Sequence, residues 1–243
     1  MSTRCYVPAD TEYPHSVCVD GPTAHHIARV LRMASGDKLE LFNGVGRVAD
    51  ATIERVAKLN ISVTVHDQWL VPMPQPKIIL VQALIRPQPM DWVIRKATEL
   101  GIQQLQPVLT EHCVVRTRER PERWNKTIIS AAEQCGANWL PTIAPVRTWS
   151  DWLHTCEGTD ALYMGSLSSG SQPLRTALRA YATPPKSVAV LIGPEGDFSQ
   201  AEQQAAEAAG VVPVSLGALT LRAETAALMM LAALRYEFDG LAD

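Results

Sequence analysis

Apolar residues recur in two rhythms along this chain, and the rhythm changes near residue 72. Before that point most apolar runs alternate with polar positions, as strands with one buried face do. "KLELFNGVGRVADATIERV" holds two such runs around an Asn43-Gly44 turn signal, and "NISVTVH" closes the region. One helical pattern interrupts, "TAHHIARVLRM". It sets Ile27, Val30 and Leu31 on one face and His25, Arg29 and Arg32 on the other, a basic stripe at i, i+4 and i+7. Residues 1–72 therefore predict a small β-barrel or sheet carrying one helix.

"VPMPQP", residues 71–76, reads as a stiff proline-rich joint and sets a second domain over 73–243. Strands and helices alternate from there, the signature of a parallel α/β sheet. "KIILVQALI", "QLQPVLT", "TIAPV", "DALYM", "SVAVLI" and "VVPVSLG" read as strands. "MDWVIRKATELG" keeps a 3.6 period through Met90, Val93, Ile94, Ala97 and Leu100 and stops at Gly101. "PERWNKTIISAAEQCG" has Pro121 near its start and Gly136 at its end. A further helix surrounds "LRTALRAY". "SQAEQQAAEAAG" opens with Ser199 and Glu202, the two members of a capping box. The last helix, about 224–238, is apolar all round through "AALMMLAAL". Such a helix is either buried or covered by another subunit. Its place near the C-terminus predicts a homodimer.

Composition narrows the classes. At 47% apolar residues the 243-residue chain can bury a sizeable core, and no apolar run reaches membrane-spanning length. The N-terminus lacks the apolar stretch of a signal peptide. Five cysteines without a C-x-x-C pair argue against a disulfide framework or zinc knuckle, and point to a reducing cytoplasm. The net charge of −3 is unusual for a nucleic-acid binder. Yet "VRTRERPERWNK" concentrates Arg116, Arg118, Arg120, Arg123 and Lys126 against Glu119 and Glu122. That run is either a solvated face or an RNA contact.

The candidate chemistry lies in two loops that each leave a buried-type strand: "GPEG" (193–196) and "LGALTLRAET" (216–225). Ligands of open α/β sheets bind at the carboxyl ends of strands. A phosphate cradle does not fit here. Pro194 has no N–H to donate, and the chain has neither a GK[ST] nor a G-x-G-x-x-G. Glycines 193, 196 and 217 permit close backbone approach, or simply end strands. Leu216, Leu219 and Leu221 supply apolar walls. A flat heteroaromatic ring suits such a slot better than a polyphosphate.

"LIGPEGDFSQAE" followed by "LGALTLRAETA" resembles the C-terminal signature of the RsmE family, the 16S ribosomal RNA uridine-N3 methyltransferases of the knotted SPOUT class. The likeness extends over nearly the whole chain through "AHHIARVLRM", "LELFNGVG", "RKATELGI" and "SAAEQCG". It implies a PUA-like β-barrel for RNA, then an α/β domain whose C-terminal segment threads a trefoil knot. It also implies S-adenosylmethionine bound at the knot, an obligate homodimer, and 16S rRNA or the small ribosomal subunit as partner. No metal is implied.

On that resemblance, Ile192, Gly193, Glu195 and Gly196 form one wall of the cofactor pocket. Leu216, Gly217, Leu221, Arg222 and Thr225 form another, and "LYMGS", with Leu162 and Met164 as its cofactor contacts, supplies a third loop. Glu195 either accepts backbone N–H bonds or sits near the sulfonium. Arg222 is the candidate to steady the uracil anion and Glu224 the candidate base for the N3 proton. Glu224 also suits the first turn of a helix. Arg4, His25, Arg29, Arg32, Arg116, Arg118 and Arg123 are the RNA-binding candidates. Trp124 either stacks on a base or, at i, i+4 with Ile128, joins the core. Glu99 and Glu133 read as structural or interface partners for arginines rather than proton acceptors.

Three positions depart from the family pattern. Asp197 stands where a second glycine is usual, Ala223 where threonine is usual, and Ala137 where arginine follows "EQCG". Asp197 adds a charge beside the cofactor loop, in a backbone conformation less ready for a residue with a Cβ. Competing readings are a SPOUT enzyme acting on a ribose 2′-hydroxyl or a tRNA base, a dimeric RNA-binding remnant without catalysis, and a small-molecule α/β enzyme.

Overall fold

The computed structural model describes residues 3–8, 12–57, 60–119, 121–156 and 158–239. The chain divides into two compact units. The first takes residues 1–73 together with 132–140, and the second takes 74–131 and 141–243. The division near residue 73 follows the proline-rich joint. The 132–140 segment is a partner of the first unit that a linear boundary does not show.

The first unit is a five-stranded sheet in the order β1-β3-β4-β5-β2. Its strands are β1 (Thr3–Tyr6), β2 (Ser16–Asp20), β3 (Lys38–Phe42), β4 (Arg47–Val56) and β5 (Asn60–Leu70). β1 runs parallel to β3 and the other pairs are antiparallel. Between β3 and β4 the Asn43 side chain accepts from the N–H groups of Val45 (3.0 Å) and Arg47 (2.9 Å), so the turn signal serves a tight connection. One face buries Leu39, Leu41, Ala51, Ile53, Ile61 and Val63 among others. A second cluster, Phe42, Val48 and Ala132, is flanked by Tyr6, Val71, Ala137 and Leu140. The 132–140 segment is fitted closely there. A methyl added at Gly46 would lie 2.6 Å from both the Trp139 ring and the Val71 carbonyl.

The helix of this unit is shorter than its pattern. α1 (Gly21–His25) passes into a π-helical turn, His26–Val30, closed by Leu31 N–H donating to His26 O at 3.0 Å. The wider turn breaks the 3.6 period. Only Ile27 of the predicted apolar face is buried, while Val30 and Leu31 are exposed. Arg32 lies beyond the helix at φ +54. The basic stripe is therefore not a continuous helical row, although His25, Arg29 and Arg32 are all exposed.

The second unit is an eight-stranded sheet whose main path runs β11-β13-β10-β12-β6-β7-β8, with β9 also on β7. The strands are β6 (Lys77–Ala83), β7 (Gln104–Leu109), β8 (Thr142–Ile143), β9 (Arg147–Thr148), β10 (Ala161–Gly165), β11 (Gln172–Pro173), β12 (Ser187–Ile192) and β13 (Val212–Ser215). All pairs are parallel. The predicted helices appear as α2 (Pro87–Glu99), α3 (Arg123–Cys135), α5 (Leu174–Leu178), α6 (Gln200–Ala208) and α7 (Ala223–Asp239). α4 (Trp149–Leu153), β9 and β11 were too short to leave a periodic signal. The capping box of α6 is complete: the Ser199 hydroxyl accepts from Glu202 N–H, and the Glu202 carboxylate accepts from Ser199 N–H.

The order of strands explains the position of the two chemical loops. β12 pairs with one side of β10, and β13, next along the chain but for α6, pairs with the other side. The chain therefore crosses β10 between these strands, and the loops after β10, β12 and β13 all emerge at one end of the parallel sheet. Gly165 at the end of β10 sits among these elements: a methyl there would be in ordinary contact with Ile192 and Met230 at 3.5 Å and Leu216 at 3.8 Å.

Candidate active site

At that end lies a cavity of about 730 Å³, within the range of small-molecule and cofactor sites. The β10 loop contributes Gly165, Ser166, Leu167 and Ser168. The β12 loop contributes Ile192, Gly193, Pro194, Glu195 and Asp197. The β13 loop and the start of α7 contribute Ser215 to Glu224 and then Ala226. A fourth element, unforeseen from the sequence, is the end of the β6–α2 loop with Arg86 and the first turn of α2 with Pro89.

Of the expected cofactor residues, Ile192, Gly193, Glu195, Leu216, Gly217, Leu221 and Arg222 line this cavity. Four do not. Leu162 and Met164 are buried within β10, and the loop just beyond them takes the place assigned to them. Thr225 is exposed on α7, one position past Glu224 and turned from the cavity by the helical rotation. Gly196 faces the other way, against His112, whose Cβ a new methyl at 196 would meet at 3.0 Å. Nothing in the periodicity of 84–90 marks Arg86.

The Glu195 carboxylate accepts from the backbone N–H of Arg86 at 3.4 Å, joining the β6 and β12 loops, and Glu195 also lines the cavity. Arg86 is otherwise fixed through its backbone, since its carbonyl accepts from Met90 N–H at 3.0 Å and Pro87 begins α2. Its side chain is exposed, as is that of Arg222. Two guanidinium groups thus border the cavity. Glu224 stands in the first turn of α7, as its helix-start reading expects, and lines the cavity.

Asp197 departs from the glycine of the resembled motif and shows the consequence directly. Its φ is +58, in the left-handed region where a residue with a Cβ is strained by about 1 kcal/mol. Its N–H closes a turn onto Pro194 O (3.0 Å), and its carboxylate accepts from Phe198 N–H (2.8 Å). Phe198 is buried, with its ring 4.6 Å from that of Trp149. Ala223, the second departure, is buried at the cavity wall. Ala137, the third, packs beside Phe42, Val48 and Ala132 in the first unit.

The basic candidates divide by their partners. Arg4 is occupied within the first unit. It pairs with Glu40 at 3.0 Å, donates to Asn138 at 2.5 Å and lies over the Phe42 ring at 4.8 Å, with 13% of its side chain exposed. Glu133 is not bound to an arginine but accepts from Tyr6 N–H at 3.1 Å, and Glu99 pairs with Lys96. Arg123 holds Asp91 through both carboxylate oxygens at 3.0 Å. Arg116 donates to Glu111 O at 2.6 Å and Arg118 is exposed. Arg120 lies outside the described residues. Trp124 is buried, as its core reading expects. Among the described residues no helix is long and apolar enough to cross a membrane, and no cluster of His, Cys, Asp and Glu could hold a metal ion.

Comparison with known proteins gives the same picture. Residues 72–235 match the RNA methyltransferase domain, and residues 19–65 match the RNA methyltransferase PUA domain. The ribosomal RNA small subunit methyltransferase E of Synechocystis is 31% identical over 235 residues, covering 96% of this chain and 77% of its own. That of Rickettsia conorii is 32% identical over 224 residues, covering 87% and 85%. Among solved structures, the Neisseria gonorrhoeae ribosomal RNA small subunit methyltransferase E bound to S-adenosylmethionine superposes with a TM-score of 0.88 at 28% identity, covering 98% of both chains. A Legionella pneumophila putative methyltransferase in complex with the same cofactor gives 0.86 at 32% identity, covering 97% of this chain and 98% of its own. The domain order, the coverage and the parallel sheet with its loop-lined cavity agree, and the chain belongs to the ribosomal RNA small subunit methyltransferase E family, a PUA domain joined to an α/β methyltransferase domain.

Proposed function

We propose that this protein methylates N3 of a uridine in small-subunit ribosomal RNA, with S-adenosylmethionine as methyl donor, and works as a homodimer. The observation that carries this reading is the cavity formed by the loops after β10, β12 and β13, in a chain whose relatives of the same fold are solved with that cofactor. The residues present suit the group. Backbone groups of the 192–197 and 215–221 loops can meet an adenine edge, and Leu216 and Leu221 offer apolar walls. The cofactor supplies an already activated methyl on a sulfonium, so the protein need only align the acceptor and handle one proton.

Uracil N3 is a weak acid, and charge develops on the ring as its proton leaves. Arg222 and Arg86, which both line the cavity, are the candidates to stabilise that charge through the carbonyl oxygens beside N3. Glu224 is the candidate acceptor of the proton. The target base must leave its stack to reach them. For RNA affinity, the exposed His25, Arg29 and Arg32 serve the first unit, and Arg116 and Arg118 the second. Arg4 and Arg123 are already paired and contribute less.

The dimer reading is supported by α7. Ala223, Ala227, Met230, Leu231, Leu234 and Phe238 are buried, but Met229 is 43% and Tyr236 82% exposed. With Thr225 and Ala232 these exposed residues form a stripe that a second copy can cover.

The test is to incubate small subunits lacking the modification with labelled cofactor and identify the methylated nucleoside by mass spectrometry. 3-Methyluridine from the wild type, lost in Arg222→Ala and in the cavity-filling Ala218→Trp, is the expected result. A ribose-methylated product or a methylated tRNA base would replace the N3 assignment. A folded protein that binds RNA without binding the cofactor would overturn the catalytic reading.

A further inference from the structure

We infer that His112 is a positioning residue for the cofactor loop: its ring N–H, shared by the carbonyls of Gly196 and Asp197, fixes residue 197 in the left-handed conformation that its missing glycine would adopt freely. The inference rests on the cavity being the cofactor site.

The geometry is specific. His112 Nδ1 lies 2.9 Å from Gly196 O and 3.0 Å from Asp197 O. Carbonyl oxygens only accept, so Nδ1 carries the hydrogen and donates to both. Two consecutive carbonyls are thereby turned outward, away from the cavity that Glu195 and Asp197 line. A methyl at Gly196 would lie 3.0 Å from His112 Cβ, so a side chain there would press the histidine back by a few tenths of an ångström.

The histidine is itself held. Glu111 N–H donates to the Glu202 carboxylate at 2.8 Å, and that same carboxylate caps α6. Cys113 N–H donates to Thr110 O at 3.2 Å, and the Thr110 hydroxyl lies 3.2 Å from Cys113 Sγ, both residues being buried. The 110–113 turn therefore grips the segment 196–202 at two points. A glycine at 197 would need no such grip, because it populates positive φ at little cost. With aspartate there, the conformation has to be held by neighbours.

The imidazole titrates in this setting. The bonds to the Asp197 and Gly196 carbonyls raise its pKa above 6.5, Glu111 and Glu202 add to the shift, and partial desolvation opposes it. The charged groups acting on it are Glu111 and Glu202, with the Arg116 guanidinium on the Glu111 carbonyl. A raised value means that protonation favours the pinned loop. The grip is fullest below pH 6.5 and weakens as pH rises through the raised value, though the neutral Nδ1–H form still donates.

Two readouts test this on the full-length protein. The first needs no cofactor: amide hydrogen exchange of residues 195–198. His112→Ala should speed it about tenfold while β13 is unchanged, His112→Asn should restore protection through its amide N–H, and His112→Ala with Asp197→Gly should recover most of it. The second is S-adenosylmethionine affinity by calorimetry from about pH 5.5 to about pH 8.5. His112→Ala should bind about tenfold more weakly, and His112→Asn should bind near wild type but lose the pH dependence. Wild-type exchange in His112→Ala, or no rescue by asparagine, would overturn the staple. A confirmed change in exchange with unaltered affinity would overturn its role in cofactor binding. Absence of binding by the wild type would instead sink the reading of the cavity, while the exchange result would still decide whether the staple exists.

Discussion

Arg4 shows how a residue chosen for its charge can be committed by its neighbours. An arginine near the start of an RNA-modifying chain invites a phosphate contact, but this one joins Glu40, Asn138 and the Phe42 ring. Arg4→Ala should cost about 2 kcal/mol in chemical denaturation, because the Glu40 carboxylate is left partly buried and unpaired. It should leave the salt slope of RNA binding unchanged, whereas Arg118→Ala should make that slope shallower by about one. The cysteines give a second test at this scale. Burial, with Glu133 nearby, pushes the Cys5 thiol up to about 12. Alkylation of the native protein near pH 8 should reach the exposed Cys18 and Cys135 quickly and spare Cys5, Cys113 and Cys156, as peptide mass mapping would show. Fast labelling of Cys5 would contradict its placement under the sheet.

Helix α7 makes the argument for whole elements. Its sequence is apolar on every side, so periodicity could not say which face turns inward. The fold buries one face. Leu234→Ala should cost about 2–5 kcal/mol, since a fully buried side chain leaves a cavity. Tyr236→Glu should change protomer stability by less than about 0.5 kcal/mol, because that side chain is exposed. If a second copy covers the stripe, the same change should dissociate the dimer in sedimentation velocity. An unchanged dimer would show that the interface lies elsewhere. The first helix teaches the opposite lesson. Its amphipathic pattern was clear, yet a π-turn ended it before Arg32, because one wide turn shifts every later residue off its predicted face.

For the whole molecule, the unit of folding is not the same as a continuous stretch of chain. The first unit includes residues 132–140, and Phe42 and Val48 pack on Ala132, with Ala137 and Leu140 beside them. A fragment ending at residue 73 leaves that cluster open. It should bind a hydrophobic dye and melt less cooperatively than the full chain, in which this cluster is complete. A fragment that is fully folded and dye-silent would show that the segment adds nothing.

The sequence by itself determined the alternation of strands and helices, the change of pattern at the proline-rich joint, the capping box of α6 and the two loops that line the cavity. These are properties of neighbours along the chain: hydrophobic period, proline stiffness and side chains that cap their own backbone. Tertiary structure decided the rest. It brought Arg86 to the cavity beside Arg222, turned Gly196 from the cavity toward His112, withdrew Leu162 and Met164 into the sheet, and occupied Arg4 and Arg123 with local carboxylates. Each of those outcomes joins residues 30 or more positions apart or depends on which side of β10 a strand is laid. No local rhythm records such a choice, because it is fixed by how the parallel strands are ordered and by which buried faces must meet.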